Sequence, residues 1–113
     1  MPLWFARGLR RGVVTTRYPA QRDPSAADLP TPPAFCAEKL TREVADQLCQ
    51  ACPCGALSRA GDALTFDAGA CTACGRCAQA VPGAVTRSGE FELAATRREH
   101  LIKQIPLVGE SER

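Results

Sequence analysis

The sequence predicts an α+β fold of short helices and hairpins arranged as a pseudo-twofold repeat, with an amphipathic helix in front of it. Three observations predict this. The segments Ala51-Cys52-Pro53-Cys54-Gly55-Ala56-Leu57-Ser58-Arg59-Ala60-Gly61 and Ala80-Val81-Pro82-Gly83-Ala84-Val85-Thr86-Arg87-Ser88-Gly89 match nearly position by position once Cys54 is taken as an insertion. Each reads as the end of a short helix, a proline turn and a short strand. Ala63-Leu64-Thr65-Phe66-Asp67 and Glu90-Phe91-Glu92-Leu93 then alternate in the strand manner and complete two small hairpins. Neither half can bury a core alone, so the two must face each other.

The elements follow in four parts. Residues 1–18 are basic and amphipathic: on a helical wheel Phe5, Leu9 and Val13 share one face, while Arg7, Arg10 and Arg11 share the other. Such a helix suits a membrane surface or a partner's groove. Packing on its own domain is the plainer alternative, and an Arg-rich, acid-free start also has the character of an organelle transit peptide. Residues 19–35 form a linker, because Pro19, Pro24, Pro30, Pro32 and Pro33 prevent continuous helix and favour extended backbone. Residues 36–93 hold all seven cysteines. Within them Thr41 is the expected N-cap of a helix whose Val44, Leu48 and Ala51 line one face. Residues 94–113 form a polar tail in which Thr96 is expected to cap a helix over residues 97–104, stopped by Pro106.

Composition limits the function classes. A chain of 113 residues suffices for one small domain and an extension. Seven cysteines is an odd number, most of them sit in tight C-x2-C steps, and residues 1–7 lack a long apolar run, so metal binding in a reducing compartment is expected over a secreted disulfide scaffold. A net charge of +2 and an aromatic content of 5% offer little to nucleic acid. No stretch approaches the roughly 20 apolar residues of a membrane-spanning helix. No carboxylate pair, Ser/His set or phosphate loop is present, so no catalytic residue is expected, and His100 is expected to be solvated.

The cysteines carry the chemistry. Cys71-Thr72-Ala73-Cys74-Gly75-Arg76-Cys77 is C-x2-C-x2-C, and four residues beyond Cys77 stands Val81, followed by Pro82. The bacterial run that holds [4Fe–4S] clusters is C-x2-C-x2-C-x3-C-P, and its fourth cysteine ligates the other cluster in two-cluster proteins. The second run here keeps three cysteines and lacks the fourth. The first repeat keeps only the Cys-Pro step, Cys52-Pro53, and its three companions would stand at Arg42, Ala45 and Leu48. Crossed ligation therefore leaves one complete set, Cys52, Cys71, Cys74 and Cys77, and one set wholly replaced by Arg42, Ala45, Leu48 and Val81. The small residues Ala73 and Gly75 let backbone N–H groups approach a cluster's sulfides. Zinc also takes four thiolates, but its sites usually use two separated C-x2-C pairs. Cys49 and Cys54 flank Cys52 and compete with it. The Cys-Pro register favours Cys52 and leaves the other two as small buried side chains. Cys36 is assigned no role.

With these residues in hand, the sequence resembles the ferredoxin-type iron–sulfur subunit of membrane-bound hydrogenases and respiratory complex I, especially the small iron–sulfur subunit of formate hydrogenlyase. The resemblance spans most of residues 3–104. It rests on the basic start ending in Thr15-Thr16-Arg17-Tyr18-Pro19, on Ala51-Cys52-Pro53 with Ala56-Leu57, on the run from Cys71 to Cys77, and on Glu90-Phe91-Glu92-Leu93-Ala94 before a polar helix. It implies a bacterial ferredoxin-like fold. It also implies an N-terminal helix lying along membrane-arm subunits on the cytoplasmic face of the cell membrane, which ranks the transit-peptide reading lower. Electrons would pass to or from a neighbouring small iron–sulfur subunit.

The expected function is thus electron transfer through one [4Fe–4S] cluster in a membrane-associated, hydrogenase-like or complex I-like oxidoreductase. Its partners would be the other subunits of that assembly, with peripheral membrane contact through residues 3–14 and no nucleic acid. The alternatives are a structural or assembly subunit with a non-transferring cluster, and a free soluble ferredoxin. The +2 charge and the basic helix argue against the second of these.

Overall fold

The computed structural model of the chain describes residues 3–12, 14, 15 and 17–109. Among these residues it is a mixed α and β fold with three α-helices and two small antiparallel sheets. The helices are α1 (Leu3–Arg11), α2 (Arg42–Ala51) and α3 (Arg76–Ala80). The strands are β1 (Pro33–Phe35), β2 (Leu57–Ala60), β3 (Ala63–Asp67), β4 (Val85–Arg87) and β5 (Ile102–Pro106). One sheet is β1-β4 and the other is β2-β3-β5.

Local sequence accounts for the centre of the fold. Thr41 accepts a hydrogen bond from the Val44 N–H at 3.3 Å and so satisfies one of the free donors at the start of α2. Ala45 and Leu48, three residues apart on one face of α2, are completely buried. The β2-β3 hairpin turns through Gly61, whose φ of 61° suits a residue without a Cβ. Leu64 and Phe66 alternate inward from β3. They join Leu40, Ala45, Leu48, Ala56, Leu57, Ala84 and Val85 in one core.

The two matched segments take equivalent local positions. α2 ends with Cys52 as its C-cap and α3 ends with Val81 as its C-cap. Ala56 and Leu57 are buried in the first segment, and Ala84 and Val85 are buried in the second. Their strands find different partners. β2 pairs with the following strand, Leu57 opposite Phe66. β4 pairs instead with β1, Phe35 opposite Val85, drawn from the last three residues of the proline-rich stretch. Residues 90–93 form no strand, contrary to the expectation of a second hairpin. β4 holds only three residues and pairs with β1.

The expected helix over residues 97–104 is also absent. A single 3-10 turn at Arg98–Leu101 leads into β5, which pairs along β3 with Leu64 opposite Ile105. Thr96 caps nothing. The free edge of β3 offers five residues' worth of ladder, and the β-branched Ile102 and Ile105 suit a pleated surface better than a helix. Beyond β5 the Leu107 N–H donates to Asp62 O at 2.9 Å and the Val108 N–H donates to Leu40 O at 2.9 Å, which ties the tail to the domain.

α1 is shorter than the expected residues 1–18: it ends at Arg11, before the left-handed Gly12 (φ 66°), and it buries no residue. Leu3 and Leu9 are 76% and 71% exposed, so the helix does not pack on its own domain. Val13 and Thr16, to which the helical face and the Thr15-Thr16-Arg17-Tyr18-Pro19 exit were assigned, lie outside the described residues, as do Met1, Pro2 and residues 110–113. No described helix is long and apolar enough to cross a membrane.

Candidate functional site

Five cysteines line one pocket: Cys52, Cys54, Cys71, Cys74 and Cys77. All four expected ligands are therefore brought together, although Cys52 and Cys71 are far apart in sequence. Elements on either side of the core position them. Cys52 closes α2, its N–H donating to Leu48 O at 3.1 Å, and Pro53 directly after it prevents the helix from continuing. Gly55, with φ 67°, turns the chain into β2. Cys71, Cys74 and Cys77 come from residues 71–75, which have no regular structure, and from the first turn of α3.

The conformation of that loop is unusual. Ala73 is the one non-glycine residue with positive φ among the described residues, at 54°. Gly75, the N-cap of α3, is also left-handed at φ 77°. An L-residue in this region costs about 1–2 kcal/mol, and such strain gathers at sites where the backbone serves a ligand. The result here is local. The Ala73 N–H donates to Cys71 Sγ at 3.4 Å. A backbone amide is thus already aimed at sulfur, in the manner that thiolate ligands of metal centres use.

The remaining lining is mostly apolar, from Pro33, Ala56, Leu57, Phe66 and Ala78, with Arg87 as the one cationic side chain. Burial pushes the Cys71 and Cys77 thiols above their ordinary range, because an apolar wall disfavours thiolate. Metal binding would release those protons. Cys54 is shifted the other way. The Thr72 backbone N–H is the main cause of its lowered pKa, with a hydrogen bond from Cys52 second. The sulfurs of Cys52 and Cys54 are 3.5 Å apart.

Cys54 is the residue that sequence reasoning set aside and the structure places in the pocket. The available signal was its position as the single insertion between the matched segments. Cys49, the other rival, packs partly buried against the core and does not line the pocket, and burial raises its thiol pKa. Cys36 is also elsewhere; its N–H donates to Ala84 O at 2.9 Å. His100 is exposed on the 3-10 turn. Of the four residues standing where a second ligand set would be, Ala45 and Leu48 are core, Val81 packs against the core, and Arg42 points outward to Asp62 at 2.6 Å.

Thiolate sulfur is the donor that iron–sulfur clusters and zinc share. Among the described residues, no three His, Cys, Asp or Glu side chains converge closely enough to hold a single metal ion. The five sulfurs border a pocket instead of meeting at a point. Their chemistry is that of a thiolate donor set. No protein-family model matches the chain, and no curated protein is significantly similar to it.

Proposed function

We propose that the chain binds one [4Fe–4S] cluster in the five-cysteine pocket and serves as an electron-transfer subunit of a membrane-associated oxidoreductase of the hydrogenase or complex I kind. The observation that carries this reading is the gathering of the C-x2-C-x2-C loop and the remote Cys52-Pro53 step around one pocket. When bound, such a cluster supplies reversible electron uptake at a potential set by charge, hydrogen bonds and burial. The chain's own residues would set those terms. Cys71, Cys74, Cys77 and a thiolate from the Cys52 turn hold the corners. The amide of Ala73 directs a hydrogen bond to ligand sulfur. Phe66, Pro33 and Ala78 keep water from the buried side, and Arg87 offsets negative charge.

The bacterial ferredoxin-like pseudo-twofold arrangement belongs to the same proposal. It is supported by the matched C-caps at Cys52 and Val81 and by the equal burial of Ala56-Leu57 and Ala84-Val85. A peripheral position at the cytoplasmic face of the cell membrane is supported by α1. It exposes Leu3, Trp4, Phe5 and Leu9 beside Arg7, Arg10 and Arg11, an arrangement suited to a membrane-arm subunit and to the surface around it.

The test is anaerobic purification with iron, sulfide and zinc measured per chain, alongside EPR of the reduced protein. About four irons and four sulfides with one reduced-cluster signal is the expected result. Zinc without iron refutes electron transfer. Deletion of residues 3–14 is expected to release the chain from the membrane fraction; retention would reject the role of α1.

A further inference from the structure

We propose that Cys54 is an exchangeable partner of Cys52, so that either thiolate completes the ligand set made with Cys71, Cys74 and Cys77. This rests on the cluster-binding reading above. Four corners need four thiolates, yet five cysteines line the pocket. The two surplus candidates are not equivalent: both pack partly buried against the core, but only Cys54 also lines the pocket. Cys52 Sγ and Cys54 Sγ stand 3.5 Å apart, so they address the same corner.

Two further features favour exchange over a bystander role. Cys54 shares the pocket wall with Cys71, Ala73, Cys74 and Gly75, so it stands beside the loop that supplies the other three ligands. The two cysteines also share one turn: only Pro53 separates them where α2 ends, and Gly55, directly after Cys54, holds φ 67°. The exchange balances without any redox partner. One iron–thiolate bond to Cys52 breaks, one to Cys54 forms, and the Cys54 proton passes to Cys52 Sγ. No electron is gained or lost.

The test compares wild type, C52A, C54A, the C52A/C54A double variant and C71A after anaerobic reconstitution. Iron and sulfide per chain, EPR line shape and circular dichroism are measured for each. Both single variants are expected to keep near wild-type iron, with a changed EPR line shape in C52A. The double variant and C71A are expected to lose iron about ten-fold or more. Loss in C52A equal to that in the double variant, with C54A unchanged, overturns the proposal in favour of Cys52 alone. The reverse pattern overturns it in favour of Cys54 alone, and iron retained by the double variant shows that neither is a ligand. A wild type without iron rejects the cluster reading itself, which keeps the two failures distinct. Alkylation of the loaded wild type needs no variant to fold. Labelling divided between Cys52 and Cys54, with Cys71, Cys74 and Cys77 protected, is expected. Labelling confined to one of the pair overturns exchange.

Discussion

Two sets of four positions, related by the internal repeat, have opposite fates. Cys52, Cys71, Cys74 and Cys77 border one pocket, supplied by the end of α2, an irregular, partly left-handed loop and the first turn of α3. Arg42, Ala45, Leu48 and Val81 occupy a capped helix and the end of α3, with Ala45 and Leu48 completely buried. The difference shows two ways for a small domain to secure its interior. One half relies on apolar burial, which a regular helix provides by placing one face inward. The other gives up regular structure, accepts positive φ at Ala73 and Gly75, and presents sulfur.

Removing a ligand should break the comparison most severely. Cys71→Ala is expected to lower bound iron about ten-fold or more, measured as iron per chain, while leaving α2 folded by circular dichroism. Next in size is the apolar half. Leu48→Ala is expected to cost about 2–5 kcal/mol in urea unfolding, because a completely buried leucine leaves a cavity that only partly collapses. Iron content in the folded fraction should stay at the wild-type level; a loss matching that of Cys71→Ala would mean the two halves are not separable. Gly75→Ala should cost about 1–2 kcal/mol through its backbone alone, since φ is 77° and nothing lies within 4 Å of the added Cβ. Thr41→Ala should cost about 1 kcal/mol through loss of the α2 cap, read as a shift in the urea midpoint. Smallest is Arg42→Ala. Its ion pair with Asp62 is 62% and 75% exposed on the two sides, so a change below about 1 kcal/mol is expected.

The candidate site was more legible than the sheets around it. Cysteine spacing is a statement about local geometry, and the four candidate ligands read from it share one pocket. The pocket position of Cys54 was not legible, because an insertion in a repeat does not reveal where its side chain turns. That direction depends on the turn at Gly55 and on the residue 71–75 loop that lines the same pocket.

The sequence by itself determined the elements whose causes are local. α2 starts at its threonine cap and stops before Cys52-Pro53, the β2-β3 hairpin turns at a glycine, and α1 is amphipathic and basic. Tertiary structure alone decided which strands pair. β4 takes β1 from the proline-rich stretch, residues 90–93 are left without a partner, and residues 102–106 become a strand on β3. The physical reason is that a helix satisfies its backbone hydrogen bonds within its own segment, whereas a strand must borrow them from another. The fate of Ile102 and Ile105 therefore rested on the open edge of β3.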